Sequence, residues 1–322
     1  MSSSSFPPQL PEARACDVVG LGANAADHLV TIARHPQPGE KIRFRDYTYQ
    51  GGGQTATALV TIARFGYRTR YLGGVGDDGD GRANLAGLEA EGVDVSGTLT
   101  RPGGLTQRAF ILVDETSGER TIIWGRSEGM VIAPGEIDAG GIAEARILHT
   151  DAQDPRAAAH AGRIAHRAGM PVIADLELVR PGLEQFLPEI DFLIAAAGFP
   201  KEATGAGDLD AATRMLEERS AGALVIVTLG ARGAVARIEG ALESFPAYAV
   251  EAVDTTGAGD VFHGAFAVAC LEGMALREAL DFSNAVAAIK CRQAGGRTGI
   301  PRSLEEVERF RRDTGHRTRG RR

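Results

Sequence analysis

Residues 254–260 read Asp-Thr-Thr-Gly-Ala-Gly-Asp, and the chain continues Val261-Phe262-His263-Gly264-Ala265-Phe266 into an apolar, helix-like stretch. Gly257 and Gly259 permit backbone angles closed to other residues and let an anion approach the main chain. The N–H groups that open a helix have no intrahelical partner, and the helix dipole adds partial positive charge beside them. Phosphate is the natural ligand of such a turn. Asp260 would stand against that phosphate, where a carboxylate is repelled unless it has the task of accepting a proton from an attacking hydroxyl. The plainer alternative is a glycine-rich capping turn with a solvated Asp.

Working outward, the 322 residues allow a large core, in one large domain or two smaller ones. A content of 43% hydrophobic and 24% charged residues suits a soluble globular enzyme, and the net charge of −7 argues against a nucleic-acid surface. Residues 1–14, rich in Ser and Pro, read as disordered, and 313–322 as a basic, solvated tail. The N-terminus lacks the charged start and apolar core of a secretory signal, and no apolar run reaches membrane-spanning length. Cys16, Cys270 and Cys291 form no Cys-x-x-Cys pair, which excludes a disulfide framework and a zinc knuckle and suits a reducing cytoplasm.

Between these ends, short apolar strands alternate with helical stretches. Strands are expected at 15–22, 69–73, 147–150, 171–175, 192–195 and 224–228, and helices at 55–65, 81–91, 155–167 and 208–220. This rhythm predicts an α/β domain with a mainly parallel sheet covered on both faces. Two stretches break it. Residues 41–50 alternate in strand fashion, and strand-like 108–113 and 120–124 flank a turn at 114–119. Together they predict a small antiparallel sheet standing off the main domain, placed to act as a lid.

Four further motifs carry chemistry. Gly20-Leu21-Gly22-Ala23-Asn24-Ala25 fits a dinucleotide fingerprint, but Pro36, Pro38 and Gly39 cramp the helix that a dehydrogenase needs after it. Asp27 offers another use, since a carboxylate there can accept hydrogen bonds from neighbouring sugar hydroxyls. Gly51-Gly52-Gly53-Gln54 leads into a helix and lets backbone amides meet a polar ligand. The acids of Gly73 to Gly81 lack calcium-hand spacing and read as a strand-to-helix turn with Asp capping. Thr228-Leu229-Gly230-Ala231-Arg232-Gly233, after a buried strand, is a natural place for a nucleotide.

At these residues the chain resembles the ribokinase, or PfkB, family of carbohydrate kinases. Val253 to Asp260 with Phe262 and Gly264 match its C-terminal signature, and 228–233 its nucleotide loop. Gly51-Gly52-Gly53, Ala63-Arg64-Phe65-Gly66 and Gly73-Gly74-Val75-Gly76-Asp77-Asp78 with Gly81 match its N-terminal region. The resemblance implies a ribokinase-like three-layer α/β/α domain over 15–312 with a β lid, ATP with Mg2+ as donor, and a sugar hydroxyl as acceptor. It implies that Asp260 is the base and that Gly257, Ala258 and Gly259 form the anion hole. Thr228, Gly230 and Gly233 would hold ATP with Asn284 near the adenine, while Asp27, Gly52 and Gly53 would face the sugar. Asp254 and Thr256 resemble the family's monovalent-cation loop, with K+ as its cation, although Lys290 stands there where a small residue is common. Lid sheets in the family often pair between subunits, which implies a homodimer through the lid.

The chain departs from the family pattern in places. Thr57 replaces a sugar-contacting Asn, and Ala196 and Phe199 stand where an Asn-x-x-Glu element that organises magnesium should fall. The closest local resemblance is to sulfofructose kinases, which also carry that Thr. Lys41 fits the place of a sulfonate-contacting Lys, but Trp124 and Gln153 stand where Asn and Arg would be expected. The expected activity is therefore phosphorylation of a small ketose or ketose derivative. A nucleoside kinase of the same fold and a non-catalytic sugar- or nucleotide-binding regulator are the rivals.

Overall fold

In a computed structural model of the chain, which describes residues 6–116 and 120–314, alternate strand residues bury themselves on opposite sides of one sheet. Val18, Ile147, Ile173, Ile194 and Ile226 join one apolar cluster, while Val19, Leu148, Ala174, Leu193 and Val225 join another. A period of two puts successive side chains on opposite faces, so a strand apolar at every position demands cover on both.

The amino-terminal elements are β1 (Val18–Leu21), β2 (Ala25–Ile32), β3 (Asp46–Gly52), α1 (Gln54–Arg64), β4 (Thr69–Tyr71), β5 (Gly74–Gly76) and α2 (Gly79–Ala90). Next come β6 (Val93–Asp94), β7 (Leu99–Arg101), β8 (Gln107–Asp114), β9 (Arg120–Gly125) and α3 (Ala139–Ala143). The middle holds β10 (Ile147–Thr150), α4 (Pro155–Arg167), β11 (Val172–Leu176), α5 (Leu183–Phe186), β12 (Phe192–Ala196), α6 (Phe199–Thr204), α7 (Leu209–Arg219) and β13 (Leu224–Thr228). The chain closes with β14 (Ala234–Ile238), β15 (Ala241–Phe245), α8 (Ala258–Leu271), α9 (Leu276–Cys291) and α10 (Leu304–Asp313). The main sheet runs β15-β14-β13-β12-β11-β10-β1-β4-β6, parallel from β13 to β6, with β14 and β15 antiparallel at one edge. Helices α1, α8 and α9 cover one face and α4 to α7 the other, giving the three-layer α/β/α fold expected. Asp78 caps α2 by accepting from the Gly81 N–H, the role read for the 73–81 turn.

The lid differs from expectation in composition and pairing. A separate sheet of order β3-β2-β8-β9 is present, but β2 is part of it and pairs parallel with β8. Strand β3 begins at Asp46, not at residue 41, and the turn expected at 114–119 extends into residues outside those described. Because β2, rather than a helix, follows Gly20–Ala25, the geometry that a dinucleotide fingerprint requires is missing. The amino-terminal stretch is also more ordered than its composition suggests. Phe6 sets its ring 5.7 Å from that of Phe192 and 5.6 Å from that of Phe266, and the Arg14 guanidinium donates to the carbonyls of Ala143, Ala145 and Ala168. Two apolar or cationic anchors hold Ser/Pro-rich chain that has no periodicity of its own. Residues 1–5 and most of the basic tail lie outside the described residues, although α10 runs on to Asp313. Among the described residues no helix is long and apolar enough to cross a membrane.

Candidate active site

The parallel strands β10 to β13 deliver polar side chains to their carboxyl ends: Asp151 just after β10, Asp175 in β11 and Thr228 in β13. Open α/β sheets bind ligands at this edge. On the lid, residues two apart share a face, and Ala25, Asp27, Ala109, Ile111, Ile122 and Trp124 face the same space. Together these residues enclose a cavity of about 340 Å³ that also holds Gly53, Gln153, Glu177 and the turn from Thr255 to Asp260. A second cavity of about 600 Å³ lies beside it, lined by Thr228, Gly230, Gly233 and Asn284 with Tyr248, Phe262 and Ala288. Arg120, Thr228, Thr255, Ala258 and Gly259 border both cavities.

Helix α8 begins at this junction. Gly257 adopts a left-handed φ of 73° at its N-cap, which other residues adopt only with strain, and a Cβ there would press on the Gly296 carbonyl. The turn is held from below by an Ala258 N–H bond to the Thr255 carbonyl at 3.2 Å. The following N–H groups belong to the first turn of a 14-residue helix, where no intrahelical acceptor exists. This is the turn that the sequence reading gives to an anion, and both cavities open on it.

Asp260 is half-buried in the first turn of α8 and opens on the smaller cavity. Burial, then the charge of Asp175, pushes its carboxyl up to about 7, with His263 opposing. The His263 ring lies underneath, its Nδ1 donating to the Gly259 carbonyl at 2.7 Å and its Nε2 3.4 Å from Asp175 Oδ1. Burial holds His263 below the usual imidazole value. Across the cavity Asp27 is buried on β2, and burial raises it to about 7 while Arg297 pulls it down and Asp260 pushes it up. Gly52 pairs with Ala25, and a Cβ on it would collide with both carboxylate oxygens of Asp27.

Most of the residues expected at the site converge. Asp27, Gly53, Trp124, Gln153, Gly257, Ala258, Gly259 and Asp260 line the smaller cavity, and Thr228, Gly230, Gly233 and Asn284 the larger one. Trp124 is stacked by the Arg180 guanidinium at 5.6 Å, and Gln153 donates to Gln107 Oε1 at 2.6 Å. Four expectations do not hold. Gly52 is not among the lining residues of either cavity, and its carbonyl accepts from Arg297. Lys41 lies exposed on the chain between β2 and β3 and is not among the lining residues, because that connection runs along the lid instead of returning to the sheet. Thr57 is buried in α1, where its hydroxyl accepts from Arg297 Nε at 3.2 Å. Asp254 spends both carboxylate oxygens on backbone N–H groups, of Thr256 and Gly295, each at 2.8 Å. The Lys290 ammonium donates to the carbonyls of Asp254 and Thr256, so these residues do not fit a free monovalent cation.

Several site residues escape sequence reading. Asp151 accepts from the Ala23 N–H at 2.6 Å and the Thr55 hydroxyl at 3.0 Å, locking the start of α1 to the edge of the sheet. Asp175 and Glu177 bring carboxylates to the cavity from β11 and its exit. Phe199, by contrast, is fully buried at the start of α6 and Ala196 has no ligating group. Arg297 reaches back from the loop after α9 to donate to the Gly52 carbonyl at 2.9 Å. Arg120, on the lid strand β9, donates to the Thr255 hydroxyl. Their one signal in sequence is a residue type that is costly to bury, standing at a strand end or in a glycine loop.

A carboxylate beside a glycine turn that opens a helix, with one small and one larger cavity meeting there, suits a phosphotransferase with an alcohol group as acceptor, the class that comparison with known proteins shows. The family model described as pfkB family carbohydrate kinase matches residues 16–303, and the chain belongs to that family. It is similar to the ribokinase of Haemophilus influenzae, 27% identical over 300 residues that cover 89% of this chain and 96% of that protein. It is also similar to a nucleoside kinase of Methanothermobacter thermautotrophicus, 27% identical over 303 residues covering 91% and 95% of the two chains. The structure of Arabidopsis thaliana ribokinase complexed with ribose and ATP superposes with a TM-score of 0.77 at 25% identity, covering 92% of this chain and 99% of that one. The chain is thus a ribokinase-type sugar or nucleoside kinase.

Proposed function

We propose that this protein transfers the γ-phosphoryl group of ATP to a hydroxyl of a small, neutral, ketose-like sugar. The observation that carries the reading is the meeting of the two cavities at Ala258 and Gly259, with Asp260 on the smaller side. ATP would lie in the larger cavity along Thr228, Gly230 and Gly233, its adenine toward Asn284. The sugar would sit between Asp27 and Asp260, where Asp27 accepts from ring hydroxyls and Asp260 takes the proton of the attacking one. The Gly259 N–H, beside the Ala258 N–H that ties the turn to Thr255, would receive the charge that develops on the transferred group.

Magnesium, if bound with the nucleotide, would offset the charge of its phosphates. Magnesium of this kind takes one or two protein carboxylates beside phosphate and water. Asp175 and Glu177 are the carboxylates in place for that role. Arg120 borders both cavities and would steady the phosphates from the lid side.

A neutral sugar is preferred over a sulfonated one because the contacts expected from Lys41 and from the positions of Trp124 and Gln153 are missing, while the cations that do line the cavity, Arg120 and Arg180, are engaged by the Thr255 hydroxyl and the Trp124 ring. The nucleoside reading is favoured by one feature, the apolar wall of Ile111, Ile122 and Trp124, against which a base could stack. An ATP-consumption screen over fructose, tagatose, ribose, sulfofructose, phosphorylated ketoses, adenosine and inosine tests both. Turnover with a ketose is expected. Turnover confined to nucleosides would replace the sugar reading with the nucleoside one.

Assembly and location follow the same reading. The outer face of the lid exposes Tyr47, Phe110 and Ile123 around His28, whose ring stacks on Phe110 at 4.9 Å. A second lid packing there would make a homodimer. Three free, buried cysteines suit a reducing cytoplasm.

A further inference from the structure

Lys290 is fully buried, in the last turn of α9, where its charge meets the carbonyl end of the helix. An ammonium is rarely buried without partners, because leaving water costs it heavily. Here the Nζ donates to the Asp254 carbonyl at 2.9 Å and to the Thr256 carbonyl. The same loop is tied to the end of α9 through its backbone, with the N–H groups of Val253 and Asp254 both bonding the Cys291 carbonyl. Thr256 directly precedes Gly257, the residue whose left-handed turn sets the direction of the α8 amides.

We infer that the Lys290 ammonium is a tethered monovalent cation, holding the 254–256 loop so that the anion turn is preset without a free ion. Two carbonyl oxygens cannot bond each other, and each needs a donor or a cation when buried. The ammonium supplies it covalently attached. A free potassium ion could enter only by displacing that ammonium, since two unit charges a few ångströms apart repel strongly. Lys290 is thus a positioning residue, acting on phosphate through the loop.

Thermal melting of the full-length protein tests this without ATP or sugar, so the outcome is independent of the substrate proposed above. Melts are compared in potassium, ammonium and tetramethylammonium chloride at equal ionic strength. Wild-type midpoints should coincide. Lys290→Ala, which opens a space lined by two carbonyls, should melt roughly 5 °C lower in tetramethylammonium and recover saturably in potassium or ammonium. Lys290→Met, which fills the space with a neutral chain, should melt lower in all three salts without recovery. In turnover assays on whichever acceptor the screen identifies, Lys290→Ala should lose kcat more than KM and regain about tenfold with ammonium. A saturable, potassium-specific rise in the wild-type midpoint overturns the inference, as does a folded Lys290→Ala equally indifferent to all three salts. If Lys290→Ala does not fold, the wild-type comparison decides alone.

Discussion

Asp260 and Asp27 face each other across a cavity whose walls raise both carboxyls to about 7. A base works only when deprotonated, so kcat/KM should climb with pH through about 7, as a pH–rate profile would show. Asp260→Ala should lower kcat by about 10²–10⁴ while leaving the melting curve cooperative; near-full turnover would remove Asp260 from the mechanism. The same shift has a consequence for stability. A carboxyl raised in the folded state contributes fully below its unfolded value near 3.8, and that contribution is lost as pH rises through 7. Asp260→Asn should therefore melt higher than wild type at pH 8 by about 2 °C or more, with the gap closing toward pH 5. Gly52→Ala puts a methyl where the Asp27 carboxylate sits and should raise the acceptor KM about tenfold with little effect on the KM for ATP. Equal effects on both would mean a general collapse instead.

At the scale of elements, the lid does two things at once. Its inner face supplies Asp27 and Trp124 to the cavity, and its outer face presents Phe110 and Ile123 to solvent. An exposed apolar sheet face of this kind marks an interaction surface. Ile123→Lys should shift a dimer to monomer in sedimentation at micromolar concentration, and a wild type that is monomeric there would contradict pairing through the lid. Arg120 lies at the start of β9 and touches Thr255, so the lid also reaches the phosphate path. Arg120→Ala should cost about 10² in kcat with the sugar KM nearly unchanged. A change confined to KM would make Arg120 a binding residue only. The element that opens the fold, β1, and the one that opens the chemistry, α8, were both legible, since each joins an apolar run to a glycine turn. Strand β2 was not, because its Ala-Ala-Asp-His-Leu-Val carries no clean alternation and the glycines before it fit a fingerprint that calls for a helix. Only pairing with β3 and β8 makes it a strand.

Across the whole molecule, the sequence by itself determined the α/β class, the sheet's two covered faces and the glycine turn with an acid in the helix it opens. These depend on local properties: runs that are apolar at every position, glycines at fixed offsets, and an acid in the first turn of a helix. It also brought forward Thr228, Gly230 and Gly233, at a strand end followed by a glycine turn, while Asn284, inside α9, was reached only through the family resemblance. Tertiary structure alone decided which distant charges meet. Arg297 reaches Gly52 and Thr57 across some 240 residues of chain, and Asp151 locks Ala23 and Thr55. It also took Lys41 off the cavity and set Lys290 on the carbonyls of Asp254 and Thr256, residues that resemble the family's monovalent-cation loop. Local pattern is fixed by backbone preference and burial, which act within a few residues. The partner of a buried charge is fixed by the fold, because the cost of burying it can be offset only by whatever group the chain brings within reach.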